Sequence, residues 1–174
     1  MHIRPLLPSD WEDVAAIARE ATAFSAFDEE LVAWRAWDTR FIPGQRLVAA
    51  SREGRIAGWT ALEPVSSRPS WSGVAAVSIY VAAAFRGQGF GSRLLGGIVA
   101  SAEEAGIWTL QAHVLPQNTA ALHLLQDFGF ARVGSRQRLF QVDDAWQDAI
   151  LLDRRSPVVF ADSTPVTQEI PEAS

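Results

Sequence analysis

No cysteine occurs in the 174 residues, and no lysine. The first absence excludes disulfides, thiolate metal ligands and a cysteine nucleophile. The second excludes a Schiff-base lysine and a lysine-bearing phosphate loop of the Walker type. Every basic side chain other than the 3 histidines is therefore arginine. Tyrosine and methionine occur once each. Long apolar runs are missing as well. The most apolar stretch, 73–85, is shorter than the roughly 20 residues of a membrane-spanning helix, and MHIRPLLPSD lacks the apolar core of a secretion signal. Positive charge is in deficit, with 15 basic against 20 acidic residues and a net charge of −5. General affinity for nucleic acid or anionic membrane is not expected from that balance, although a local basic pocket is compatible with it. The expectation is a soluble, cytoplasmic chain with neither kind of partner and no metal.

What is present points to one folded domain. Hydrophobic residues make up 48%, with 7 Trp and 9 Phe, which is enough for a sizeable core. HIRPL (2–6) reads as a first strand near a sheet edge, because Pro5 lacks an N–H. Ser9 and Glu12 have the spacing of a capping box. They precede a helix whose apolar face carries Trp11, Val14, Ala15, Ile17, Ala18 and Ala21. A second, Trp-rich helix is predicted from Glu29 to Trp37. A hairpin follows, with strands at 47–51 and 56–62 about the polar turn REGR. A Pro- and Ser-rich loop spans 64–73. Residues 74–81 then form a strand apolar enough to lie buried. The next helix presents Leu94, Leu95, Ile98, Val99 and Ala102 on one face and ends at Gly106. A strand at 107–114 and a helix capped by Asn118 or Thr119 and stopped by Gly129 come next. Strands at 130–140 and 146–154 close the series. The order β-α-α-β-β-β-α-β-α-β-β implies a mixed sheet with helices packed on it, an α/β domain over residues 1–155. The remaining 156–174 hold three prolines and no basic residue and are expected to form a flexible acidic tail.

The stretch RGQGFGSRLLGGIVASAEEAG (86–106) raises the chemical question. A helix N-terminus leaves N–H groups unpaired and carries partial positive charge. Gly87, Gly89 and Gly91 let an anion approach that backbone, and Arg86 adds a fork of donors. Together they make a phosphate or pyrophosphate site; the alternative is a tight strand-to-helix turn with no ligand. A dinucleotide fingerprint fails, since the position that requires its last glycine is Ser92 or Leu94. A flavin or nucleotide binder is disfavoured for that reason.

Arg86-x-x-Gly89-x-Gly91 after a strand ending in Tyr80-Val81 resembles the acyl-CoA loop of the GNAT acetyltransferase superfamily. Asn118-Thr-Ala-Ala-Leu followed by Phe128-Gly-Phe is similar to its second signature. The likeness extends to the phosphinothricin and methionine-sulfoximine acetyltransferase branch through SSRPSWSGVAAVSIYV, AGIWTLQAHVLPQN and Trp146-x-Asp148, and covers residues 2 to about 155. It implies the GNAT fold, a mixed and mostly antiparallel sheet with splayed central strands and helices on both faces. It also implies acetyl-CoA as cosubstrate, a small amine such as an amino acid or an acidic analogue as acceptor, and a homodimer. Ile79 and Val81 would pair with the pantetheine arm, with Tyr80 packing beside that strand. The loop of Arg86, Gly87, Gln88, Gly89, Phe90, Gly91 and Ser92 would hold the pyrophosphate, and Asn118 would lie near the reactive end. Arg68 and Trp71 fall at substrate positions, against the alternatives of a solvated loop arginine and plain packing. Trp146 and Asp148 have hairpin or dimer packing as their alternative role.

Two positions depart from that pattern. The glutamate that the branch uses to deprotonate the amine is Ala76 here, and its leaving-group acid, Tyr or His, is Leu125. Either the transfer proceeds without them, or another residue substitutes, His113 being the candidate; its alternative is a histidine that only fills space. A GNAT domain that binds acyl-CoA as a sensor or interaction module, without efficient transfer, is the competing expectation.

Overall fold

A computed structural model describes residues 1–20, 33–142 and 144–160. One seven-stranded sheet organises them, in the order β1-β2-β3-β4-β5-β7-β6. The strands are β1 (His2–Pro5), β2 (Arg46–Ala50), β3 (Ile56–Pro64), β4 (Val74–Val81), β5 (Thr109–Val114), β6 (Ala131–Val142) and β7 (Ala145–Arg155). Every neighbouring pair is antiparallel except β4 and β5, which run parallel. The helices are α1 (Trp11–Glu20), α2 (Trp34–Asp38), α3 (Phe90–Glu104) and α4 (Thr119–Asp127).

Two layers cover the sheet. On one face, Val14, Ile17 and Ala18 of α1 and Trp37 of α2 pack with Val48, Trp59 and Ala61 of the sheet. Trp11, Trp34, Trp37, Phe41 and Trp59 form a chain of ring contacts there, with centroids 4.5–6.4 Å apart. On the other face, Leu95, Ile98, Val99 and Ala102 of α3 join Leu125 of α4 and Leu62, Leu110 and Leu152 of the sheet. Leu94, Leu95 and Ile98 are fully buried. Each contributes about 1.5–3 kcal/mol by leaving water, so α3 is anchored by the one face that its sequence marks.

The turn into α1 differs from the capping box at Ser9 and Glu12. A 3-10 turn at Pro8–Asp10 leads into the helix. Asp10 is the capping carboxylate, accepting from the Leu7 N–H at 2.8 Å. Its oxygens also receive both Arg4 guanidinium nitrogens at 2.7 Å. Pro8 starts the turn one residue before Ser9, and that shifts the cap. The Arg4 hydrogen bonds, outweighing burial, hold the Asp10 carboxyl below its ordinary range.

Strand β4 is not buried as its composition implied; only Ala75 is, and its other residues are half-exposed. The reason is topological. The pairing of β4 with β5 covers Val74–Ala76 against Thr109–Gln111 and then ceases, although β4 continues to Val81 and β5 to Val114. The two strands splay, and the gap uncovers β4. The remaining elements fall close to their expected bounds. Asn118 accepts from the Ala121 N–H at 3.1 Å, and Gly106 and Gly129 take positive φ at the ends of α3 and α4. Strands β6 and β7 are longer than expected, with a bulge between Arg136 and Phe140. Ala21, the first residues of the helix expected from Glu29, and 161–174 lie outside the described residues. Within the expected tail, Ser156 is buried and hydrogen-bonded to Glu103 at 3.0 Å, and Phe160 packs on Trp108.

Candidate active site

The splay between β4 and β5 opens a cleft of about 820 Å³. Its floor follows from strand alternation. The Ser78 carbonyl accepts from Thr60 Oγ1 of β3 at 2.8 Å, and the Ala82 N–H donates to Ala57 at 3.0 Å. Backbone groups alternate sides along a strand. Those of Ile79 and Val81 therefore face the gap, where an extended ligand could pair with them. The Val81 carbonyl accepts from Arg86 Nε at 3.1 Å, which fixes the start of the arginine side chain.

One end of the cleft is backbone. Gly87 and Gly89 have φ of 71° and 82°, values that L side chains rarely adopt, and Gly89 is the N-cap of α3. The loop so formed turns the first N–H groups of a fifteen-residue helix toward the opening. Arg86, Gly87, Gly89, Phe90, Gly91 and Ser92 all line the cleft. Gln88 does not; its Nε2 donates to the Ala84 carbonyl at 2.9 Å and braces the loop from outside. Phe90 is buried, edge-on to Phe85, so its part at the opening is its backbone. Asn118 lines the cleft with its Oδ1 spent on the α4 cap.

The other end is made of side chains. Ala76, Ser78 and Tyr80 share one face of β4, toward α1 and α2. Glu63 of β3 stands directly across from Ala76 in the register and lines the cleft. Arg40, in the turn after α2, also lines it and pairs with Glu63 at 3.6 Å. Tyr80 lines it too, with its ring on Trp59 at 4.6 Å. His113 of β5 lies beyond the last β4–β5 pair, with Phe140 at 6.3 Å between ring centroids. Its Nε2 is 3.3 Å from Arg136 Nη1. Burial first, and the Arg136 charge second, lower its pKa, so the ring stays neutral near pH 7.

Sequence-predicted residues are thus divided. Ile79, Tyr80, Val81, the glycine loop, Asn118 and His113 meet around one cleft, as do Ala76 and Leu125. Leu125 is buried in the α3–α4 core, so nothing polar stands at that place. Arg68 and Trp71 are not among the residues lining the cleft; they sit on an exposed 3-10 turn at Pro69–Trp71 and just before it. Trp146 is exposed, while Asp148 accepts from the Arg138 N–H at 2.9 Å and holds the β6 bulge, where Arg138 has φ of 50°. Glu63 and Arg40 carry no local motif and were not expected. The strand register reveals Glu63, and the cleft and its ion pair with Glu63 reveal Arg40.

Several known proteins resemble the chain in sequence or in fold. The Bacillus subtilis (strain 168) protein YwnH, provisionally named a phosphinothricin acetyltransferase, is 35% identical over 107 residues, covering 62% of this chain and 66% of YwnH. The L-amino acid N-acyltransferase MnaT of Escherichia coli (strain K12) is 24% identical over 85% of this chain and 90% of its own. A solved structure described as a candidate phosphinothricin N-acetyltransferase superposes with a TM-score of 0.79 at 30% identity, over 88% of this chain and 97% of that one. The phosphinothricin acetyltransferase of Sinorhizobium meliloti, solved with acetyl-CoA, shares the fold with a TM-score of 0.83 at 21% identity, over 98% and 95% of the two chains. The model of the acetyltransferase (GNAT) family matches residues 11–130. With that match over well more than half its length, and with the splayed sheet and glycine loop in place, the chain belongs to the GNAT acetyltransferase family.

Proposed function

We propose that the protein is an acetyl-CoA-dependent N-acetyltransferase acting on a small amine, an amino acid or an acidic analogue of one. The observation that carries this reading is the cleft itself. It joins a glycine-lined helix N-terminus, suited to an anion, to an open strand edge and then to a face bearing Arg40 and Glu63. Pyrophosphate on the loop and pantetheine along Ile79 and Val81 deliver the thioester to the splay. Asn118 lies beside that point. Arg40 supplies the fork that an acceptor carboxylate or phosphinate needs, the part first expected of Arg68.

The chemistry asks for an unprotonated amine, a polarised thioester carbonyl and a departing CoA thiolate. With Leu125 in place of an acid, the thiolate leaves unaided and takes its proton from the nascent amide through water. General acid–base groups contribute about 10²–10⁴-fold, so loss of one slows transfer without ending it. Ala76 and Leu125 also favour a second reading, a domain that binds acetyl-CoA without transfer. Release of CoA thiol across a panel of amino acids, with phosphinothricin and methionine sulfoximine included, separates the two. Because the chain has no cysteine, all thiol above an enzyme-free control is CoA. Amine-dependent release supports transfer. Tight acetyl-CoA binding with no release overturns it in favour of the binding domain.

A further inference from the structure

Ammonium groups are not nucleophiles, so an amine acetyltransferase working near pH 7 needs somewhere for a proton to go. Among the described residues lining the cleft, Glu63 is the one carboxylate. His113 is the other possible acceptor. Its Nε2 lies against the Arg136 guanidinium, an arrangement that occupies the lone pair and opposes an added positive charge. Glu63 is placed better. Its partner across β3–β4 is Ala76. Side chains directly opposite in an antiparallel pair share a face, with Cβ atoms about 4.5–5.5 Å apart. Ala76 presents only a methyl, so the space in front of it is open to the Glu63 carboxylate. That carboxylate is about one-third exposed and pairs with Arg40 at 3.6 Å, an exposed contact whose two charges a zwitterion's own ammonium and carboxylate would replace.

We propose that Glu63 receives the proton of the substrate ammonium, acting from β3 in place of a carboxylate that Ala76 cannot provide. This rests on the acetyl-transfer reading above. In the step, the ammonium gives one proton to the Glu63 carboxylate. The neutral amine nitrogen then bonds to the thioester carbon, and the tetrahedral intermediate collapses with cleavage of the C–S bond. The second nitrogen-bound proton passes to the CoA thiolate. The products are the N-acetyl compound and free CoA, and Glu63 returns its proton to water. Arg40 then faces the acceptor's acidic group, with its former partner turned to the nitrogen. Among the described residues lining the cleft, the charged and titratable groups on that side are Glu63 of β3, Arg40 after α2, Tyr80 of β4 and His113 of β5.

The test moves the carboxylate between strands. Glu63→Gln is expected to lower kcat by about 10²–10⁴-fold, with acetyl-CoA affinity unchanged, a control that also reports folding. The shortfall should narrow as pH rises toward the amine's own pKa, where the substrate is already neutral. The double variant Glu63→Gln with Ala76→Glu should recover much of the loss, because the carboxylate then reaches the same space from β4. Arg40→Ala breaks the same ion pair but should act mainly on KM, with a loss of kcat well below that of Glu63→Gln. Wild-type kcat in Glu63→Gln overturns the assignment. So does a loss that is equal at every pH and not rescued from position 76, or a collapse of kcat in Arg40→Ala equal to that of Glu63→Gln. If wild-type protein releases no CoA with any amine, the acetyl-transfer reading fails and takes this assignment with it.

Discussion

The two ends of the cleft are built on different principles. The loop end is contiguous in sequence, 86–92, and made of backbone whose shape is imposed by Gly87 and Gly89 at positive φ. The acceptor end draws Arg40, Glu63, Tyr80 and His113 from four separate places in the chain. A site made from consecutive backbone leaves a short motif behind it. A site made from side chains on neighbouring strands leaves none, because its membership depends on register. The same contrast carries into the proposed chemistry, in which the first end holds the cofactor and the second selects the amine and sets the rate.

That comparison can be sharpened by substitutions that act on one end alone. The largest expected effect is the Glu63→Gln loss of kcat. Next, Arg86→Ala should weaken acetyl-CoA binding about 10–100-fold by titration calorimetry, the range of a charged hydrogen bond, without changing which amines react. An equal loss of amine discrimination would break the division between the ends. Arg40→Ala should raise KM for amino-acid acceptors about tenfold or more and leave acetyl-CoA affinity alone, whereas Arg68→Ala should change neither. A KM effect at Arg68 instead would restore the expectation from sequence.

Smaller effects concern the scaffold. Asp10→Asn should cost about 1–3 kcal/mol at neutral pH, by leaving Arg4 and the Leu7 N–H poorly paired. Because Arg4 holds the Asp10 carboxyl below its ordinary value, that contribution is full above the usual carboxylate range. It fades as pH falls through the lowered value. Denaturant melts at pH 7 and in acid check the trend. At His113 the folded-state pKa is also lowered. The unfolded chain therefore binds the proton first as pH drops below about 6.5, and stability declines through that window. His113→Gln should lose less stability than wild type between neutral pH and pH 5 or so; an identical pH dependence would place His113 in water.

Much of the fold was legible, for reasons specific to its elements. The face of α3 shows because Leu94, Leu95, Ile98, Val99 and Ala102 recur at helical spacing, and all are buried. Gly106 marks its helix end by a positive φ and Asn118 by a side-chain cap. The cap of α1 was misplaced because Ser9 fits a local motif, while Asp10 competes through Arg4 on another element. The exposure of β4 was hidden because apolar composition does not say that a partner strand diverges after Ala76. Arg68 stands at a familiar place in sequence but on an exposed turn in space. Glu63 has no local motif, and it stands out only when β3 is set against β4, directly across from Ala76.

The most direct test of this account measures both products of one reaction: wild-type protein, acetyl-CoA and a set of free amino acids, with CoA thiol and N-acetyl amino acid quantified from the same mixture. The account predicts that the two appear together in equal amounts and only when the amine is present. Thiol without acetylated amine, or neither product from a protein that binds acetyl-CoA, would contradict it.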